Sequence, residues 1–187
     1  MISREEAFEL LKSTEKEANL INHGLESEAV MRGLAKKLGR DEEMWGLTGL
    51  LHDLDYSQTK ENDSRHGLDT AEMLEGKIPA DALDAIRRHA FEMNESDEPS
   101  TELDFALRCG ETVTGLVHAG ALVRPTKIDG MKVKSLKKKM KDKAFAASVN
   151  RDTIRECDKI GIELGDFLQI AIASVTEIAP EVGLKAE

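Results

Sequence analysis

The sequence predicts an all-α domain. Three observations carry this. No stretch sustains the period-two alternation of a half-buried strand. The apolar set is mostly Leu, Ala, Ile, Val and Met with only 4% aromatic residues, a mixture that suits helix interiors better than strands. Several apolar stretches open on a capping residue or close on glycine.

Ser3-Arg-Glu-Glu6 is a capping box, in which the Ser3 hydroxyl caps a backbone N–H while Glu6 reaches back to Ser3. Ala7, Leu10, Leu11 and Ala18 follow near helical spacing. A second helix is expected from about His23 to Leu38, with Leu25, Ala29, Val30, Leu34 and Leu38 inward and Gly39 as its stop. Asp41 caps a third, whose Met44, Trp45, Leu47, Leu50 and Leu51 lead directly into His52-Asp53. Lys60 to Arg65 reads as a loop, and a short helix then carries Leu68, Ala71, Met73 and Leu74 to a stop at Gly76. Pro79 suits the first turn of the next helix, where Ala82, Leu83, Ile86 and His89 share a face. Asn94 to Ser100 reads as a loop, after which Thr101 caps a long helix from Glu102 to about Leu122, halted before Pro125. Gly110, Gly115 and Gly120 inside it cost about 1 kcal/mol each relative to Ala, which points to close packing or close approach to a site. A helix after Asn150 and an apolar terminal helix with Leu164, Phe167, Leu168, Ala171, Val175 and Ile178 complete the chain.

A chain of 187 residues is long enough for one domain with a sizeable core, expected to span 1–187. The N-terminus lacks a basic region followed by an apolar block, and no apolar stretch reaches a membrane-spanning length. Cys109 and Cys157 are too few for a disulfide scaffold, so the chain reads as cytoplasmic. Net charge is −10, yet Arg124 to Lys143 carries +7, leaving −17 elsewhere. An acidic protein with one basic strip is a poor match for a general nucleic-acid binder, but a local anion site remains open. Nothing in the sequence fixes an oligomeric state.

Four of the five histidines form the chemical signal: His23, His52, His66 and His89, each at a helix end or on an inward face. His52-Asp53 sits in the apolar run Gly-Leu-Leu-His-Asp-Leu, where burying a carboxylate is unfavourable unless it is paired or binds a metal. The dipeptide alone also allows a hydrogen-bonded structural pair, the less favoured reading. Four separated inward histidines favour metal, and imidazole with carboxylate suits Fe, Mn, Ni, Co or Zn, with Mg also open.

The ordered set His23, His52-Asp53, His66, His89 and Glu111-Thr-Val-Thr-Gly-Leu116 resembles the HD superfamily of metal-dependent phosphohydrolases. Leu20-Ile-Asn-His23, Trp45 to Asp53, Ala121 to Pro125 and Lys134 to Lys139 are similar to one branch of small bacterial and archaeal HD proteins. The resemblance implies an HD-domain helical bundle with a buried metal site, its motifs at about 20–125 and the basic segment and last helices at 126–187. By position, His23, His52, Asp53 and Glu111 match the ligands of a first metal. His66 and His89 match those of a second, bridged through Asp53. The closing ligand is usually Asp in the superfamily; here it is Glu111, with Asp104, seven residues earlier on the same face, as the fallback. Asp53, His66 and His89 are then the catalytic candidates, acting on a small phosphorylated metabolite or nucleotide. The alternatives are an HD-type di-iron oxygenase and a non-catalytic, metal-stabilised ligand-binding module. No glycine-rich phosphate loop and no base-stacking platform are evident. Arg124, Lys127 and Lys134 are candidates to meet substrate phosphate. Asp55 reads as an outer neighbour of the metal site or, preferred, as a solvated loop carboxylate, and His118 as a structural residue or an outer neighbour of the site.

Overall fold

A computed structural model describes residues 1–186, and it contains helices and no strand among the described residues. The order is α1 (Arg4–Thr14), α2 (Ala18–Leu38), α3 (Glu42–Leu51), α4 (Tyr56–Thr59), a 3-10 turn Asp63–Arg65, α5 (Leu68–Met73), α6 (Ala80–His89) and α7 (Phe91–Asn94). Then come α8 (Glu102–Leu122), α9 (Val133–Met140), α10 (Arg151–Arg155), a 3-10 turn Glu156–Ile160 and α11 (Leu164–Glu177).

The caps do what their chemistry predicts. Ser3 Oγ accepts from the Glu6 N–H at 3.2 Å while Glu6 accepts from the Ser3 N–H at 2.9 Å. Asp41 accepts from two N–H groups at the start of α3, and Thr101 pairs reciprocally with Asp104 at the start of α8. Gly39 ends α2 in the left-handed conformation, φ 67°. Some boundaries differ from expectation. Helix α1 ends at Thr14 and α2 begins at Ala18, so Ala18 belongs to α2 and His23 lies inside that helix rather than opening it. The N-cap of α2, Glu17, makes no side-chain cap bond, so no residue there marks a helix start. Pro79 is the N-cap of α6 and not in its first turn.

The two 21-residue helices α2 and α8 lie against each other. Helix α3 packs on α2, while α6, α10 and the Glu156–Ile160 turn pack on α8, and α11 covers both long helices. Met31, Leu34, Leu50, Leu107, Leu116 and Phe167 are fully buried in one apolar cluster reaching from Ala7 to Leu184. Each such side chain contributes about 1.5–3 kcal/mol on burial. The glycines of α8 serve close packing: Gly110 faces Met31, Gly115 faces Val149 and Gly120 faces Leu136. No helix of the described residues is long and apolar enough to cross a membrane.

Candidate metal centre

Four elements bring the histidines together. Helix α2 supplies His23, the end of α3 His52, the Asp63–Arg65 turn His66, and the last residue of α6 His89. The Nε2 atoms of His23 and His52 are 3.2 Å apart, as are those of His66 and His89. Asp53 lies at the centre. Its Oδ1 is 3.3 Å from His52 Nε2, 3.4 Å from His66 Nε2 and 3.3 Å from His89 Nε2, while Oδ2 is 3.6 Å from His23 Nε2. Glu111, from the middle of α8, brings Oε2 to 3.7 Å from His23 Nε2.

Each imidazole is locked by a bond at its other nitrogen. His52 Nδ1–H donates to the Gly49 carbonyl at 2.8 Å and His89 Nδ1–H to the Ile86 carbonyl at 2.6 Å. His66 Nδ1–H donates to Asp55 Oδ1 at 2.8 Å. The Thr114 hydroxyl gives its proton to the Glu111 carbonyl at 2.6 Å, so it accepts from His23 Nδ1–H at 3.0 Å. With protons fixed on Nδ1, four Nε2 lone pairs converge on one another and on Asp53. Lone pairs facing at such distances repel unless a cation lies between them. Asp53 Oδ1 is buried and has no hydrogen-bond partner. The donor chemistry therefore fits a divalent cation in either of two triads, His23–His52–Asp53 and Asp53–His66–His89.

Burial pushes His52 down to about 3, leaving it neutral as a ligand must be. Burial works against ionisation of Asp53, but His52 and the other imidazoles outweigh it and hold the carboxylate well below its usual range. Burial drives Glu111 up to about 8, with Asp53 adding to the rise and the Thr112 hydroxyl opposing it. A cation beside it would restore ionisation. For His66 burial is likewise the largest influence, lowering its basicity, yet Asp55 and Asp53 overcome it and the net shift is upward.

Of its two readings, Asp55 takes the less favoured one, beside the metal site and not solvated in a loop. It is fully buried, and besides His66 it accepts from the Gly67 N–H at 2.7 Å and the Thr70 N–H at 3.0 Å. Gly67 has φ +78°, and a Cβ there would lie 2.7 Å from the Ile86 carbonyl, so only glycine lets the chain pass under His89. Sequence reasoning also missed Asn94, which donates to the His66 and Arg87 carbonyls, and Arg108, which donates to the His89 carbonyl. Arg108 is buried between Glu92 and Glu156, paired at 2.7 Å with each. A buried arginine on the inward face of a helix was the signal for it.

Other candidates fall elsewhere. Asp104 turns its Oδ2 to the α8 cap and to Arg88, whose Nη1 is 3.2 Å away, and it belongs to neither triad, so the fallback ligand lies outside the cluster. His118 pairs with the buried Glu26 at 2.6 Å, in a hollow beside His23. Arg124 donates to the Lys127 and Asp129 carbonyls, Lys127 to the Gly183 carbonyl, and Lys134 is exposed. These three do not line the cleft: Arg124 closes its own turn, Lys127 ties that turn to the C-terminal segment, and Lys134 is solvated. The cleft itself, about 430 Å³, opens past Leu20, Tyr56, Met93 and Thr112 and has no Lys or Arg in its lining.

The family described as the HD domain matches residues 20–125, more than half of the chain. No curated protein matches the sequence.

Proposed function

The chain belongs to the HD-domain family, and from that premise we propose that it is a metal-dependent hydrolase of phosphate esters, acting on a small phosphorylated metabolite or nucleotide. The observation that carries this reading is the buried Asp53 Oδ1, unpaired and faced by three imidazole nitrogens. His23, His52, Asp53 and Glu111 would hold one cation, and Asp53, His66 and His89 a second, with Asp53 shared. Four imidazoles with two carboxylates suit Fe, Mn, Ni, Co or Zn better than Mg. When bound, such cations supply a water acidified toward neutrality and a sink for phosphoryl charge.

The chain's own groups set the frame for that chemistry. Carbonyl, hydroxyl and carboxylate partners on each Nδ1 keep the Nε2 lone pairs aimed inward, so no ligand must reorient during turnover. Asp53 stays ionised, and the Thr112 hydroxyl donates to Glu111. With no Lys or Arg in the lining, the phosphate charge has no protein cation to meet inside the cleft, which makes the reading dependent on metal. Tyr56 and Met93, both exposed, offer apolar surface to the organic part of the substrate at the cleft mouth.

The test is elemental analysis of protein purified without chelator, followed by phosphate release from a panel of phosphomonoesters and phosphodiesters under argon. At least one transition metal per chain and metal-dependent phosphate release are expected. A metal-free protein, or a metal-loaded one that releases no phosphate from any ester, overturns the reading. Turnover that requires oxygen replaces it with oxygenase chemistry.

A further inference from the structure

The metal cleft shares a wall with a second cleft. Val149 and Asn150 line both, and on the far side a hollow of about 480 Å³ is bordered by Lys141, Lys143, Arg151 and Arg155 against one carboxylate, Asp152. Lys141 also borders a third hollow with Lys138 and Lys139. The cations at 132–143 are little committed: among the described residues, the ion pair they make is Lys137 with Glu163, at 3.9 Å. Lys141 and Lys143 are exposed, and Arg155 donates to the Arg151 carbonyl.

The wall is held from several directions. The Arg151 guanidinium gathers the carbonyls of Asp142, Phe145, Ala146 and Val149. Ala146 sits in the left-handed region at φ 45°, a conformation costing roughly 1 kcal/mol or more that the clamp must offset. Asn150 accepts from the Asp152 and Thr153 N–H groups and so fixes the start of α10. From the other side, a Cβ on Gly115 would lie 2.9 Å from Val149 Cγ2, so α8 and the wall meet as closely as atoms allow. Glu111 lies one turn earlier on the same helix. The basic hollow is thereby kept at a fixed place beside the cleft whose own lining lacks any basic side chain.

A substrate with a single phosphate leaves these cations unused. Four basic groups against one carboxylate, in a chain of net charge −10, form a local positive field suited to a second anion. We infer that this hollow is the subsite for a second phosphoryl group, and hence that the substrate class is a phosphate ester carrying another phosphate beyond the scissile one. The inference rests on the phosphohydrolase reading for the role of the neighbouring cleft. Arg151 is a positioning residue, since both its Nη groups are turned to the wall's carbonyls, whereas Lys141, Lys143 and Arg155 are the groups to meet the anion.

The test is calorimetric binding to the metal-loaded protein of a series of α,ω-alkanediol bisphosphates, each against its own monophosphate. The series scans the distance between phosphates and does not presume an organic scaffold. At one chain length the bisphosphate should bind roughly tenfold more tightly, a preference that shrinks as salt rises. In K141Q/K143Q/R155Q that ratio should fall toward one with metal content equal to wild type. In the charge-matched K36Q/K37Q/K77Q, which alters exposed lysines away from the hollow, the ratio should persist. Equal binding of every pair by the wild type, or a ratio that survives the triple substitution, overturns the inference. A retained bisphosphate preference with no phosphate release from any ester instead overturns the hydrolase reading alone.

Discussion

The two halves of the histidine cluster are built by different means. His23, His52 and Glu111 ride on α2, α3 and α8, helices of 21, 10 and 21 residues packed through the core. Their positions follow from helix packing, and one bond sets each ring or carboxylate: a local one for His52 and Glu111, and for His23 one across the packed helix pair to the buried Thr114. His66 sits instead at the end of a three-residue 3-10 turn in extended backbone, between a loop and a left-handed glycine. It is held by polar bonds from distant residues: Asp55 on its ring and Asn94 on its carbonyl. His89 ends α6, and its carbonyl is held by Arg108. The contrast teaches that one half inherits rigidity from the hydrophobic core, whereas the other depends on a small hydrogen-bond network that single changes can undo.

Asp53 is the one residue common to both halves, so removing it should have the largest effect. Asp53→Ala is expected to reduce bound metal to a trace and to abolish phosphate release, measured by elemental analysis and a phosphate assay. A variant that keeps its metal would show that the two halves do not share this carboxylate. The fold should survive, because relieving a buried carboxylate among imidazoles removes a desolvation cost.

A change to Asp55 should separate the halves. Asp55→Asn keeps the shape but weakens the acceptor for His66 Nδ1–H and places an amide among the Gly67 and Thr70 N–H donors. Loss of such an outer carboxylate typically costs about 10–100-fold in metal affinity or activity. The expected result is a drop in metal at the Asp53–His66–His89 triad while the His23–His52–Asp53 triad stays loaded, seen as a partial loss of metal per chain. Equal loss from both triads would mean that Asp55 supports the whole bundle end and not His66 in particular.

The same contrast explains what the sequence made legible. Caps at Ser3, Asp41 and Thr101 are local patterns of three or four residues, and each one opens its helix where expected. The inward faces of the long helices repeat every turn, so the placement of His52 beside Leu50 and Leu51 could be read directly. The role of Asp55 could not, because the N–H groups that donate to its buried carboxylate lie 12 and 15 residues downstream across an irregular loop. Read alone, a carboxylate two residues past the metal motif looks like loop chemistry. Arg124 and Lys127 misled for the opposite reason. Their charge suggested phosphate, but their donors are spent on carbonyls of a turn that periodicity does not reveal. Asp104 was read as a fallback ligand, and the geometry of α8 uses it instead as the third residue of a capping box.

The smallest effect probes the neighbourhood of the helix-borne half. His118, on α8, meets the buried Glu26 of α2 at 2.6 Å, and that bond raises its pKa while partial burial opposes the rise. A folded-state value above the unfolded one means that protonated His118 stabilises the native protein. That stability is fully present below the ordinary histidine value of about 6.5 and is lost as pH climbs through the raised folded value. His118 remains about one-third exposed, so solvent screening limits the contribution to less than about 1 kcal/mol. The difference in Tm between wild type and His118→Gln should therefore be largest in mildly acidic buffer and shrink as pH rises through that raised folded value. Metal content should not change, since His23 takes its orientation from Thr114 and its place from α2. If His118→Gln instead lowers metal content as Asp55→Asn is expected to do, the helix-borne half also depends on an outer polar partner and the contrast between the two halves fails.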